Sequence, residues 1–231
     1  MEETTVDRVS ALYREHGAAL AQVRKEQLKL RTDNPSMRTQ LDDIEAEITY
    51  LLLRDRCPET VVEIGTFHGW STTWILHALR DNGRGRLYSF DLVDTCLDNV
   101  PDDLADGRWT FTRGDVRKVR REVMRDADYL FIDADHGARF ANWYVEDIFP
   151  EIQPGTPVSV HDVFHGRRAK PFSEGAVVLR RLAARGIPFF TASRARAPAV
   201  HRHLTAVKEE LGLADPVWTG RRNPMIFFTM R

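Results

Sequence analysis

The run Val61-Val62-Glu63-Ile64-Gly65-Thr66-Phe67-His68-Gly69-Trp70-Ser71 constrains the fold of this chain more than any other. A short β-branched segment that stops at a carboxylate reads as a buried strand. Two glycines four apart follow, and Ser71-Thr72-Thr73 then opens a segment of helical apolar period. In an open parallel sheet, ligands bind outside the carboxyl ends of the strands. Gly65 and Gly69 allow a sharp turn there and a close backbone approach to a ligand. The pattern Glu-x-Gly-x-x-x-Gly is not the G-x-G-x-x-G that seats a pyrophosphate on helix amides. Glu63 would repel a phosphate and would suit a cationic or hydrogen-bond-donating ligand. For the loop alone, a strand-turn-helix that merely needs two glycines is the competing reading.

Composition sets the frame. The 231 residues suffice for one α/β domain with a sizeable core. A formal net charge of -1 supplies no basic field for nucleic acid. Cys57 and Cys96 form no CxxC pair and fit buried free thiols in a reducing compartment. No signal peptide and no apolar run near membrane-spanning length is evident, so the expected location is the cytoplasm.

Two helices are expected at the N-terminus, over about 5–30 and 39–55, separated by the polar break Arg31-Thr32-Asp33-Asn34-Pro35-Ser36. Strands are expected near 60–64, 87–91, 108–113, 128–133, 157–161, 187–192 and 225–230. Helices are expected near 71–81, 116–125, 141–150, 174–185 and 198–211. This alternation predicts a doubly wound, mostly parallel seven-stranded α/β sheet, its last strand antiparallel. Residues 1–56 form helices and a lid within the same domain, and 57–231 form the core. The segment 31–40, with Met37 and Gln40, is expected to close over the ligand. The apolar stripe on 5–30 has little core of its own in this reading, which predicts a homo-oligomer, a dimer first of all.

The strand tips carry the polar chemistry. Asp91 ends the second strand 26 residues past Gly65, where an acidic residue suits the two hydroxyls of a ribose. A solvated strand-end Asp is the competing reading. The fourth strand ends Ile132-Asp133-Ala134-Asp135-His136 and the fifth ends Val160-His161-Asp162. Adjacent strands bring Asp133 to His161 and Asp162, a plausible divalent-metal site of two carboxylates and an imidazole.

The loop and these tips resemble the class I S-adenosylmethionine-dependent methyltransferases. Among them, the order of motifs over roughly 36–165 resembles the metal-dependent small-molecule O-methyltransferases, of the catechol type and of the sugar and macrolide types of antibiotic biosynthesis. The resemblance implies a methyl donor held by Glu63, Gly65, Thr66, Phe67, Gly69, Ser71, Asp91 and Asp133. Asp115 would accept from the adenine amine and Val116 would cover a ring face, although Asp115 also makes a good N-cap. Asp133 matches the first metal ligand, His136 the general base and His161-Asp162 the ligand pair. His161 departs from the Glu or Asp common in relatives. Imidazole suits Mn²⁺ or softer ions better than Mg²⁺.

Methyl transfer to a hydroxyl of a small molecule is the expected activity, with a vicinal diol or catechol the natural acceptor if two oxygens chelate the metal. Candidates for the acceptor pocket are Met37, Trp143, Phe164, Arg167, Arg168, Trp218 and Asn223. Three alternatives stand beside this: a metal-independent enzyme using His161 or His136 as base, a cofactor-binding fold relative that serves as a tailoring accessory, and a scaffold that has lost its chemistry. A nucleic-acid methyltransferase is disfavoured by the sequence after the fourth strand. A dehydrogenase is disfavoured by the missing fingerprint, and no membrane partner is expected.

Overall fold

The computed structural model describes residues 3–118, 122–220 and 224–231. Among them, seven strands form one sheet in the order β3-β2-β1-β4-β5-β7-β6. These are β1 (Thr60–Ile64), β2 (Arg86–Asp91), β3 (Trp109–Arg113), β4 (Tyr129–Ile132), β5 (Pro157–Val160), β6 (Phe189–Phe190) and β7 (Ile226–Thr229). The first five run parallel, and β7 lies antiparallel between β5 and β6. Strand order reverses between β1 and β4, and this switch point opens a crevice at the carboxyl ends.

Both faces of the sheet are covered, because alternate residues of each central strand point to opposite sides. Val61, Tyr129 and Phe131 face one apolar layer, which includes α1 (Val6–Asp33), α2 (Asp43–Arg56), α3 (Trp70–Asn82) and α8 (Pro198–Glu210). Val62, Ile64, Leu130 and Ile132 face the other, built on α6 (Ala138–Trp143) and α7 (Glu174–Arg185).

Several elements differ from expectation for identifiable reasons. The strand expected over 187–192 shrinks to two residues, since Pro188 has no N–H to donate and β6 lies at the sheet edge. The helix expected over 141–150 starts at Ala138 and widens into a π turn over Tyr144–Ile148, where the Phe149 amide donates to the Tyr144 carbonyl at 2.8 Å. The expected helix 116–125 crosses residues 119–121, which lie outside the described residues. On either side stand a single turn Val116–Lys118 and α5 (Glu122–Arg125). A short α4 (Asp102–Ala105) was not anticipated.

The N-terminal helix corrects the argument for a dimer. Val9, Leu12, Tyr13, Leu20 and Val23 are fully buried against the chain's own helices. These five residues therefore offer no free face to a partner, whereas Leu28 of the same stripe is exposed. A buried ionic cluster sits beneath it: Glu47 accepts from the Tyr13 hydroxyl at 2.7 Å, from the Lys208 ammonium at 2.9 Å and from Arg24. No helix among the described residues is long and apolar enough to cross a membrane.

Candidate active site

Beside the switch point lies a cavity of about 530 Å³, within the range of small-molecule sites. Gly65 floors it, at φ +91°. A Cβ there would stand 1.9 Å from the Asp133 carbonyl oxygen, so β1 and β4 meet at a distance only glycine permits. The Gly65 amide donates to the Phe90 carbonyl at 2.8 Å, and the Asp133 amide to the Ile64 carbonyl at 2.8 Å. Gly69, at φ +88°, caps α3, and a Cβ on it would meet Val100 at 2.7 Å. Phe67 holds a left-handed φ of 45° and turns its ring to the cavity wall.

Glu63 does not face this cavity, which corrects its assignment as a direct ligand contact. Its side chain is fully buried. One carboxylate oxygen accepts from the Ser71 hydroxyl at 2.6 Å, the other from Thr72 at 2.8 Å and Ser89 at 2.7 Å. Burial pushes its pKa up to about 7 against the pull of these donors. Glu63 therefore ties β1 to β2 and to the start of α3, and Ser71, whose hydroxyl is spent on it, belongs to the same tie. Asp91 reaches the cavity but also holds the loop. Its Oδ2 accepts from the Thr66 and Phe67 amides at 2.7 and 2.8 Å and from the Thr66 hydroxyl at 3.2 Å. Asp115 and Val116 line the cavity. Asp115 is held by Arg117, which lowers its pKa to about 2.

Gln40 reaches the cavity from the segment between α1 and α2, whereas Met37 packs into the core. Of the other pocket candidates, Phe164 is core, and Trp218 is held by Arg31 and Asp43 near the start of α2. Asn223 lies outside the described residues.

Asp133 and His136 also line the cavity. Ligand atoms of Asp133, His136 and Asp162 lie within 4.8 Å of one another. His136 Nε2 is 3.1 Å from Asp162 Oδ2 and 3.9 Å from Asp133 Oδ1. Asp162 adopts a left-handed φ of 51°, a strained setting of the kind that concentrates at functional sites.

His161, expected in the metal set, stands behind the other three. Its ring is buried, with Nδ1 3.2 Å from Asp133 and 3.7 Å from Asp162, and Nε2 3.6 Å from Glu45. Burial opposes its cation, but these carboxylates outweigh that and raise its pKa well above the usual value. Burial equally opposes the Asp162 carboxylate, yet His161 with His136 and His165 holds its pKa down at about 2. The third donor that the fold brings to the two aspartates is His136.

Three residues of this cluster escaped the sequence reading: Glu45 on α2, Glu174 on α7 and Tyr144 at the π turn. Glu174 is fully buried, accepting from the Tyr144 hydroxyl at 2.8 Å and facing His136 Nδ1 at 3.2 Å. Glu45 also accepts from the Met225 amide at 2.7 Å. Both glutamates lie in helical stretches whose periodicity predicts exposure or a first-turn carboxylate. Only tertiary packing turns them inward.

Residues 62–163 match the model of a methyltransferase domain family. No curated protein sequence matches the chain. An O-methyltransferase from Bacillus cereus, solved in complex with SAH, is similar at 18% identity over 98% of this chain and 100% of that one, with a TM-score of 0.54. A SAH-bound methyltransferase from Podospora anserina is similar at 15% identity, over 97% of this chain and 94% of that one, with a TM-score of 0.52. At these identities the likeness is one of fold.

Proposed function

We propose that the protein, whose residues 62–163 match a methyltransferase domain family and whose sheet is of the Rossmann-like methyltransferase type, is an S-adenosylmethionine-dependent O-methyltransferase acting on a hydroxyl of a small molecule. One observation carries the reading. The cavity floored by Gly65 is also lined by Asp133 and His136, so a donor site and a proton-accepting site share one space.

The chain's residues fit the donor. Asp91 and Asp115 offer carboxylates to hydroxyl and amine hydrogens, and Phe67 and Val116 offer apolar cover for a flat ring. S-adenosylmethionine supplies a methyl carbon on a sulfonium, which leaves as a neutral thioether when an oxygen displaces it. Gly65 and Phe67 set the approach, and holding the reactants in line is worth several kcal/mol, up to about 7–11 in the best cases. As the carbon–oxygen bond forms, the hydroxyl proton goes to His136 Nε2, an imidazole suited to general-base work.

The donor set also fits a divalent cation. Asp133 and Asp162 would supply hard carboxylate oxygens, and His136 Nε2, then a ligand in place of a base, would add a nitrogen that favours Mn²⁺ or a softer ion over Mg²⁺. Such an ion supplies Lewis acidity to the acceptor oxygen. His161, buried against Glu45, supports Asp133 and Asp162 from behind instead of meeting substrate. That placement also counts against His161 as the base of a metal-independent enzyme. An acceptor with two neighbouring oxygens suits this site.

Calorimetric titration with S-adenosylhomocysteine, repeated with Mn²⁺ and after chelation, tests the reading. Micromolar binding is expected, with a separate Mn²⁺ heat that Asp162→Ala removes. Absence of any S-adenosylhomocysteine heat would overturn the function. Binding without a Mn²⁺ heat would remove the metal and leave His136 as base.

A further inference from the structure

We infer that Glu174 is a positioning residue for His136: it holds the imidazole by Nδ1, so that Nε2 is the nitrogen presented to the cavity. The inference deepens the methyltransferase reading and rests on it for what Nε2 then does.

Glu174 is a carboxylate with no exposure at all, at the first turn of α7. A buried carboxylate costs several kcal/mol unless it is paired and hydrogen-bonded. A position that served packing alone would hold an apolar side chain, as its neighbours Val177 and Val178 do. Its hydrogen-bonding partners account for both oxygens. Oε1 accepts from the buried Tyr144 hydroxyl at 2.8 Å, and Oε2 faces His136 Nδ1 at 3.2 Å. Tyr144 thus fixes the carboxylate and the carboxylate fixes the ring, whose other edge lies 3.1 Å from Asp162.

The backbone reinforces the pairing. The Glu174 amide donates to the His136 carbonyl at 2.9 Å, and Ser173 bridges to Gly137. Gly175 brings α7 so close to Val163 that a Cβ would stand 2.2 Å from its carbonyl oxygen. The loop after β4 and the loop after β5 are thereby locked to one helix start. His136 keeps a side-chain exposure of 40%, so the held ring still opens to the cavity.

Carboxylates face both ring nitrogens, but Glu174 meets Nδ1 in hydrogen-bonding geometry whereas Asp162 stands beside Nε2 as an ion-pair partner, so the tautomer with its proton on Nδ1 is the one selected. Neutral histidine free in solution favours Nε2–H, and Glu174 reverses that preference. The readout is the ¹⁵N spectrum of histidine-labelled, metal-free protein at alkaline pH, with His136 assigned by its loss in His136→Gln.

The Nδ1–H form is expected as the majority in the wild type and in Glu174→Gln, whose amide oxygen still accepts. In Glu174→Ala it is expected to fall to the minority, with the Kd for S-adenosylhomocysteine changed less than twofold. An unaltered spectrum in a folded Glu174→Ala would overturn the inference. If that variant fails to fold, the wild type decides alone, because a majority Nε2–H form there overturns it. A wild type that holds Nδ1–H yet binds no S-adenosylhomocysteine would support the pairing and overturn the methyltransferase reading instead.

Discussion

Gly65 sets the geometry at the scale of a single residue. It combines a positive φ with the closest approach in the site, 1.9 Å from where a Cβ would lie to the Asp133 carbonyl oxygen. Alanine must therefore take a strained backbone, at about 1–3 kcal/mol, and also push β4 away from β1. Gly65→Ala is expected to weaken S-adenosylhomocysteine binding at least tenfold and to lower the thermal midpoint. Calorimetry and a melting curve on the same sample check both. Gly65 was legible from its spacing to Gly69, because a strand-loop-helix needs that freedom. The inward turn of Glu63 was not. Strand alternation says which face a residue takes, but not that Ser71, Thr72 and Ser89 converge to occupy both its oxygens.

Among the elements, the contact of α1 with α3 carries a titrating group. His77 on α3 is buried, 3.3 Å from Glu26 on α1. Burial, aided by the charge of Arg80, lowers its pKa to about 4. The native state therefore excludes a proton that the unfolded chain accepts below about 6.5. The resulting stability is fully present above that pH and is lost as the pH falls from about 6.5 toward 4, on the order of 3 kcal/mol in all. His77→Gln is expected to flatten the dependence of the urea midpoint on pH in that window. Equal slopes for both proteins would contradict it. Helix and strand positions were largely readable, since apolar period and glycine punctuation are local. The π turn at Tyr144 was not, because a widened turn leaves no periodic mark of its own.

For the molecule as a whole, the N-terminal helices are part of the body. Glu47, fully buried, joins α1 through Tyr13 and Arg24 and α8 through Lys208. Burial also pushes the Lys208 ammonium down to about 8, so this cation is held at a cost. Removing the one carboxylate all three share strips the buried Lys208 ammonium of its ion-pair partner and leaves Arg24 only Asp43, at 3.6 Å, and the Asp215 carbonyl. Glu47→Ala is expected to cost about 3–5 kcal/mol and to lower the midpoint of a single unfolding transition. A separate early transition for the N-terminal helices would instead mark them as an independent unit. The same burial takes Val9, Leu12, Tyr13, Leu20 and Val23 out of the face on which a dimer was expected and leaves Leu28 exposed on it.

The sequence by itself determined the doubly wound sheet, the antiparallel last strand, the glycine loop and the strand tips bearing Asp91, Asp133 and Asp162. Each rests on local patterning: apolar period, turn residues and the rule that ligands meet the carboxyl ends of parallel strands. Only the tertiary structure decided how the histidines divide. His161 and His136 both sit beside strand-tip aspartates in sequence, and nothing local separates them. Glu45 reaches over from α2 and draws His161 inward, while Glu174 reaches over from α7 and holds His136 at the cavity. Those partners lie 116 and 38 residues away along the chain. No window of sequence contains both a histidine and the carboxylate that assigns its side.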